Sequence, residues 1–129
     1  MSQLPRSAGI YFRCGGINTV CITKRGDTSR TGVPCGKVRD GEDPWEAAVR
    51  ETFEETGFDV SECKPLKKFT CQQGHYMVTV FMIDSPIKEF KSFDRSEGRV
   101  IYGDATFLVG RDNPYRSFNE RMLREFGIL

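Results

Sequence analysis

The sequence predicts an α/β fold, and three observations support this class. Segments rich in apolar and β-branched residues, which are typical of strands, occur on both sides of residues 43–57. Residues 43–57 carry the start and stop signals of a helix, and a second amphipathic segment lies near the end of the chain. With 129 residues, 38% of them hydrophobic and ten of them Phe, the chain is large enough to bury one core. We therefore expect a single domain over residues 1–129.

The charge and cysteine content exclude several classes of function. Nineteen basic and 18 acidic residues give a net charge of +1, so overall charge favours neither nucleic acid nor membrane, and an anion site must be local. Five scattered cysteines without a C-x-x-C pair, and one histidine, are unlike a zinc site or a disulfide framework. No segment has the apolar length of a signal peptide or a membrane span, and we expect a reduced, cytosolic protein.

The part of the chain before the helix predicts strands and turns. Two apolar segments predict strands that meet at the turn Gly15-Gly16. A polar stretch after them predicts a loop, and a stretch punctuated by Gly and Pro predicts a further connection. In chain order these four segments are residues 7–14, 18–25, 25–32 and 32–43.

The first helix has signals at both of its ends. Asp43 is a good N-cap, Pro44 suits the first helical position, and Glu46 completes a capping box. Gly57 is placed to adopt the left-handed conformation that ends a helix. The sequence therefore predicts a helix between Asp43 and Gly57.

The rest of the chain predicts a hairpin, a long polar segment, a short strand and a second helix. The hairpin turns at Gly74, and the polar segment is about twice as long as a usual connection. Ser117 and Glu120 predict a capping box for the second helix, and Gly127 predicts its end. In chain order the segments are residues 65–73, 75–83, 84–104, 105–109 and 117–127.

A helical projection sorts the first helix into two opposite sides. One side carries the larger apolar residues and threonines, and we expect it to be buried: Trp45, Val49, Thr52, Phe53 and Thr56. The other side carries small residues and carboxylates, and we expect it to point away from the core: Ala47, Ala48, Glu51, Glu54 and Glu55.

The three glutamates on this helix need an explanation beyond stability. Carboxylates three and four residues apart repel one another, and the second half of a helix favours cations. Arg50 lies four residues before Glu54, but one arginine is not enough for three charges. A hard divalent cation such as Mg²⁺ or Mn²⁺ prefers oxygen ligands and leaves positions open for water and phosphate. A metal site is the favoured interpretation, and a solvated acidic face is the alternative.

The complete spacing pattern around these glutamates resembles the Nudix box. Written as G-x5-E-x7-R-E-U-x-E-E-x-G-U, where U is apolar, the pattern has one mismatch, Thr52, where an aliphatic residue is usual. It is matched in register by Gly36, Glu42, Arg50, Glu51, Glu54, Glu55, Gly57 and Phe58. The chain is thereby identified as a member of the Nudix hydrolase family, and the order of strands and helices around the box is similar to the family's.

The resemblance implies a fold and a set of metal ligands. The fold would be an α/β/α sandwich around a mixed β-sheet. Mg²⁺ or Mn²⁺ would be bound by Glu51, Glu54 and Glu55, with the main-chain carbonyl of Gly36 as a further ligand. The guanidinium of Arg50 would orient Glu54 without touching metal, and Glu42 would fix the loop before the helix.

The resemblance also implies a reaction, the hydrolysis of a nucleoside diphosphate linked to a further group X. Cleavage of a phosphoanhydride requires neutralised phosphate oxygens and an activated water. The general base stays open among Glu51, Glu97 and Asp104.

The residues that bind the substrate are harder to predict. Tyr76 lies where Nudix enzymes of dinucleoside polyphosphates have a tyrosine, and it would stack on a base; packing within a strand is the alternative. Glu97 and Arg25 are further candidates near the substrate. A polyphosphate path or a scattered polar surface would explain the basic residues: Lys24, Arg25, Arg30, Lys88, Lys91, Arg95 and Arg99.

Cys35 departs from the family pattern, which commonly has a second glycine at this place. If the turn requires a positive φ, the backbone of Cys35 is strained. A reactive thiol and a tolerated substitution are the two interpretations.

Several functions are compatible with the box. A pyrophosphohydrolase of dinucleoside polyphosphates or diphosphoinositol polyphosphates is slightly favoured. An enzyme that removes damaged nucleoside triphosphates, an RNA 5′-decapping enzyme and a non-catalytic nucleotide sensor are the alternatives. The expected partner is a small nucleotide polyphosphate. We expect no membrane partner and no nucleic acid other than capped RNA. The oligomeric state stays open.

Overall fold

The computed structural model describes residues 3–129 and shows a mixed α/β fold. Met1 and Ser2, which the single-domain prediction includes, lie outside the described residues, and that prediction stays untested. The strands are β1 Arg6–Arg13, β2 Asn18–Lys24, β3 Asp27–Gly32, β4 Cys35–Lys37, β5 Lys67–Gln73, β6 Tyr76–Asp84, β7 Phe93–Arg95 and β8 Gly98–Asp104. The helices are α1 Pro44–Thr56, α2 Arg116–Glu125 and a short 3₁₀ helix, Ala105–Val109.

The strands described between residues 3 and 129 form two four-stranded sheets. The first sheet has the order β4-β1-β6-β5; β1 and β6 are parallel, with Ile10 opposite Phe81, and the other pairs are antiparallel. The second sheet has the order β3-β2-β8-β7 and is antiparallel throughout, with Val20 opposite Tyr102. The expected mixed sheet is therefore confirmed.

Strand β1 is covered on both faces, as expected for the centre of a sandwich. Ile10 and Phe12 are fully buried in a cluster that includes Ala48 of α1. Tyr11, between them in sequence, is buried in a second cluster that includes Met122 of α2. Because adjacent strand residues point to opposite faces, the first sheet has α1 on one side and α2 on the other. This confirms the predicted α/β/α arrangement.

The ends of α1 follow the signals of Asp43, Pro44 and Gly57, but among the described residues no hydrogen bond to Glu46 completes the expected capping box. Asp43 is the N-cap, and its side chain accepts a hydrogen bond from the Trp45 main-chain N–H at 2.8 Å. Pro44 begins the helix, and Gly57, with φ of 81°, ends it. A left-handed conformation at this position is tolerated by glycine because it has no Cβ.

The direction in which α1 faces differs from the prediction. The buried residues come from both predicted sides: Ala47 and Ala48 are buried together with Thr52 and Thr56, whereas Phe53 is 55% exposed. Small side chains let a helix approach a sheet closely, and this outweighs the larger apolar area of the other side. The correction matters for function, because Glu51 and Glu55 are turned toward the protein and not away from it.

The second sheet contains elements that the sequence did not predict. The expected loop over 25–32 contains β3, and the segment 84–104 contains β7 and β8. Strand β3 is largely exposed and polar, so its pairing with β2 is not visible in its apolar pattern. The expected strand over 105–109 is the 3₁₀ helix, which Asp104 caps by accepting from the Thr106 N–H at 2.8 Å.

The second helix is confirmed, but its predicted cap is not. The N-cap is Tyr115, without a side-chain cap, so Ser117 and Glu120 do not form the expected box. The helix buries Phe118, Met122 and Leu123. Among residues 3–129, no helix has the length and apolar content needed to cross a membrane.

Candidate active site

A cavity of about 820 Å³ lies where the box meets the second sheet. Gly36 of β4 and the α1 residues Glu51 and Glu55 form one side of it. Glu97, in the turn between β7 and β8, and Tyr76, at the start of β6, contribute other parts of the wall. The structure thus brings together five of the predicted site residues.

Gly36 permits a close contact between β4 and α1 in this cavity. A Cβ at this position would overlap the carboxyl group of Glu51. The φ of Gly36 is not positive, so the glycine is required by close approach and not by backbone conformation. Strand β4 and helix α1 therefore meet at the point where Glu51 presents its carboxylate.

Arg50 connects the carboxylates of the box to the loop before α1. Its Nε and Nη2 donate to the two oxygens of Glu42 at 2.8 and 2.9 Å, and its Nη1 donates to Glu51 Oε1 at 2.8 Å. Its contacts with Glu54 are longer, at 3.4 Å. Arg50 also donates to the Lys37 carbonyl at 2.9 Å, so one planar guanidinium joins β4, the loop and α1.

Glu42 also fixes the loop before α1. Its Oε1 accepts from the Arg39 main-chain N–H at 3.0 Å, as well as from Arg50. The hydrogen bond from Arg50 is the main reason that the pKa of Glu42 is lowered from 4.5 to about 2. Glu42 is therefore ionised at neutral pH, as its expected role in the loop requires.

Glu55 lies in the most acidic part of the cavity. Its Oε1 accepts from the Cys35 N–H at 3.4 Å. Burial raises the pKa of Glu55, and the nearby carboxylates of Glu51 and Glu97 raise it further. A cation bound here would relieve this concentration of negative charge, and carboxylate oxygens are the ligands that Mg²⁺ and Mn²⁺ prefer.

Glu54 lies apart from the other two glutamates of the box. Its side chain is 49% exposed and contacts Arg50 at 3.4 Å and Arg39 at 3.9 Å. Within the part of the chain that the structure describes, no three acidic, histidine or cysteine side chains are grouped closely enough to hold a metal ion. The donor types fit a hard cation, but three-fold ligation requires Glu54 to turn away from its arginines.

Two of the other predicted residues have contacts outside the cavity. Arg25 does not line it; the Arg25 Nη2 donates to the Arg95 carbonyl at 3.2 Å. Asp104, an alternative general base, caps the 3₁₀ helix and does not line the cavity either. Glu51 and Glu97 are the alternatives for the base that do line it.

The backbone of Cys35 is not strained, so the turn does not require the positive φ considered from the sequence. No residue other than glycine has a positive φ in residues 3–129. Cys35 is opposite Gly9 on β1, and a Cβ on Gly9 would collide with Pro34 and Cys35, so a glycine is required on β1 opposite Cys35. Burial raises the pKa of the Cys35 thiol to about 12, which favours a tolerated substitution over a reactive thiol.

The sequence did not identify Tyr115, which lines the cavity at the start of α2. Buried amides hold this region in place: Asn113 Nδ2 donates to the Thr31 carbonyl at 2.7 Å, and Asn119 Nδ2 donates to the Leu108 carbonyl at 2.8 Å. The Asn113–Thr31 contact joins residues 82 apart in the chain, so no local spacing could have indicated it.

Comparison with known proteins shows the class to which the chain belongs. The model of the NUDIX domain family matches residues 3–103, which is more than half of the chain. The chain belongs to this family, and the recognition of a Nudix hydrolase from the box is confirmed.

Individual relatives show similarity over different lengths. The chain is 42% identical over 60 residues to the m7GpppN-mRNA hydrolase dcap-2 of Caenorhabditis elegans, and this match spans 46% of the chain but 8% of that protein. A C. elegans Ap4A hydrolase, solved as a binary complex, is 19% identical with a TM-score of 0.68, covering 95% of both chains. A UDP-X diphosphatase is 16% identical with a TM-score of 0.70, covering 98% of this chain and 64% of that one. The two solved structures show the shared fold.

Proposed function

We propose that this protein is a Mg²⁺- or Mn²⁺-dependent pyrophosphohydrolase that cleaves a nucleoside diphosphate linked to a further group, with dinucleoside polyphosphates as the favoured substrates. The observation that carries this proposal is the meeting of Glu51, Glu55 and Gly36 in one cavity with basic and aromatic residues. A solvated acidic face would not turn two glutamates inward toward a glycine.

Four groups would hold the cation: the side chains of Glu51, Glu54 and Glu55, and the main-chain carbonyl of Gly36. The bound metal would supply charge neutralisation on the phosphate oxygens and a water of lowered pKa. Arg50 and Glu42 keep Glu51 in place, so this carboxylate needs little reorganisation before a substrate binds.

Two carboxylates remain for the proton transfer. Glu51 and Glu97 both line the cavity, and either would accept the proton of the attacking water. Cleavage breaks one P–O bond of the anhydride; the water oxygen bonds to that phosphorus and the other phosphate leaves with the bridging oxygen.

The rest of the cavity is suited to a polyphosphate that carries a nucleoside. Lys24, Arg30 and Lys37 line it and are the cations that would face phosphate oxygens beyond the metal. Tyr76 also lines it, is 39% exposed, and would stack on a base. The similarity in fold to the Ap4A hydrolase over 95% of both chains supports the same substrate class. A diphosphoinositol polyphosphate, which has no base to stack, would contact these basic side chains but would not need Tyr76.

RNA decapping is a second candidate function, and one observation favours it. The 42% identity to the m7GpppN-mRNA hydrolase dcap-2 exceeds the identity to the solved structures named above, although it covers 46% of the chain. A sensor without activity is less favoured because all the box glutamates are present.

The free cysteines described in the structure support a reducing compartment such as the cytosol.

The test is hydrolysis of a substrate panel with Mg²⁺ and with Mn²⁺. The panel contains dinucleoside polyphosphates, diphosphoinositol polyphosphates, ADP-ribose, NADH, normal and oxidised nucleoside triphosphates, and capped RNA. The double variant Glu54→Gln, Glu55→Gln should lose activity by about 100-fold or more. Glu46→Gln, an exposed glutamate on the same helix, is the matched control and should retain it.

The outcomes separate the proposals. Metal-dependent cleavage of dinucleoside polyphosphates, lost in the double variant, supports the favoured function. Cleavage of capped RNA alone supports the second candidate. Metal binding by calorimetry without cleavage of any member of the panel would overturn the assignment as an enzyme of these substrates and favour a sensor.

A further inference from the structure

Arg95 links the second sheet to the end of α1. Its Nη2 donates to the main-chain carbonyl of Glu54 at 3.2 Å. Its Nη1 lies 3.1 Å from the point that a Cβ on Gly57 would occupy, so the guanidinium lies against the residue that ends the helix. The two partners lie 41 residues apart in sequence, and Arg95 closes the short strand β7, whereas Glu54 belongs to the box.

The end of α1 lacks a cation of its own. Its last turn contains no basic residue, and it carries Glu54 and Glu55 where the helix dipole favours positive charge. The Glu54 carbonyl is one of the final carbonyls that have no partner within a helix. The Arg95 guanidinium supplies both the missing charge and the missing donor.

The turn that follows Arg95 is also held from its other side. Arg25 donates from its Nη2 to the Arg95 carbonyl at 3.2 Å, and from its main-chain N–H to the Glu97 carbonyl at 3.2 Å. The turn between β7 and β8 is therefore fixed at two points, Arg25 on the β2 side and the end of α1 on the other. Glu97, whose carbonyl is one of these contacts, lines the same cavity as Glu51 and Glu55.

We propose that Arg95 is a positioning residue, which holds the β7–β8 turn on the end of α1 and so sets the place of Glu97 in the cavity relative to Glu51 and Glu55. The inference rests on the proposed hydrolase function for its effect on rate. It assigns to Arg25, which was expected near the substrate, the supporting role of holding the same turn. Arg95 itself does not line the cavity.

The kinetic test compares two arginines of the same hairpin. Arg95→Ala should lower kcat on the substrate found with the panel by about 10-fold or more, with KM changed less, because a displaced group costs rate before affinity. Arg99→Ala is the matched control, since Arg99 pairs with Asp94 on the hairpin and not with α1, and it should retain activity. Arg95→Lys keeps the charge and should recover part of the loss.

A double-mutant cycle distinguishes positioning from general stabilisation. If Arg95 acts through Glu97, Arg95→Ala should have little further effect on kcat in a Glu97→Gln background. Independent, multiplying losses in the two variants would overturn the proposal. Because both ends of the Arg95 contact are exposed, Tm should fall by no more than about 4 °C.

A readout without substrate keeps the inference separate from the proposed function. Hydrogen exchange should be faster in Arg95→Ala than in the wild-type protein or Arg99→Ala, both at residues 53–58 and at residues 95–98. Unchanged exchange at both segments would overturn the link between the turn and the helix even if the enzyme is active. Faster exchange in a protein that cleaves nothing in the panel would keep the link and overturn the hydrolase function.

Discussion

Two parts of the cavity wall are built differently: the part around Glu51, called the box end, and the part around Tyr76, called the open end. At the box end, Glu51 is held by Arg50 and lies directly over Gly36, and Arg50 is held in turn by Glu42. At the open end, Tyr76 is 39% exposed and stands at the start of a strand next to a two-residue turn. One end has a continuous set of charged contacts, and the other end has open side chains.

This difference separates the reaction from the choice of substrate. The groups that would bind a cation and the reacting phosphate must stay within a fraction of an ångström of their places, and Arg50 supplies a contact that fixes one of them, Glu51. A nucleoside or another group X is recognised by surface area and charge, which tolerate more movement. We expect changes at the box end to affect kcat, and changes at the open end to affect KM and substrate preference.

The largest effect is expected from Gly36→Ala. The new methyl group would overlap the Glu51 carboxyl and move it, so we expect kcat to fall by about 100-fold or more. Gly110→Ala is the matched control, because Gly110 has a negative φ and its added Cβ would be 3.8 Å from the nearest atom. Equal activity of the two variants, measured with the substrate found in the panel, would contradict the close contact at Gly36.

The box end was also the part that the sequence predicted best. The bounds of α1 follow from Asp43, Pro44 and Gly57, and each of these signals depends on residues that are neighbours in the chain. The pattern from Gly36 to Phe58 is local in the same way, and it was enough to recognise the family. Its weak point was the direction of α1, because the small size of Ala47 and Ala48 becomes an advantage only once a sheet is present.

The open end and the second sheet could not be predicted in the same way. Strand β3 is polar and exposed, and its pairing depends on β2. Tyr115 lines the cavity because the segment around it is held in place by two buried amides. These are the side chains of Asn113 and Asn119, which contact Thr31 and Leu108. Arg25 and Arg95 meet only because two hairpins lie side by side. Contacts of this kind produce no regular spacing of residues that the sequence alone would reveal.

A smaller effect is expected at the open end, from Tyr76→Ala. If Tyr76 stacks on a base, KM for a dinucleoside polyphosphate should rise by about 10-fold while kcat changes by no more than about 2-fold. Tyr76→Phe should restore the wild-type KM, because stacking does not need the hydroxyl. Phe107→Ala, another exposed aromatic residue that does not line the cavity, is the control. A tenfold fall in kcat at constant KM would contradict the division between the two ends.

The smallest effect is expected in the pH dependence of stability, and it tests how firmly the box end is held. The pKa of Glu42 is lowered from 4.5 to about 2 in the folded protein, so between these values the unfolded chain binds more protons. The stability that Glu42 contributes is therefore complete above pH 4.5 and lost as the pH falls toward 2. In urea unfolding, the difference in free energy of unfolding between wild type and Glu42→Gln should shrink over this range, and Glu46→Gln, at an exposed glutamate without a contact to Arg50, is the control. A difference that stays constant with pH would show that Arg50 does not hold Glu42 in its charged form, and that the contacts at the box end are weaker than the distances indicate.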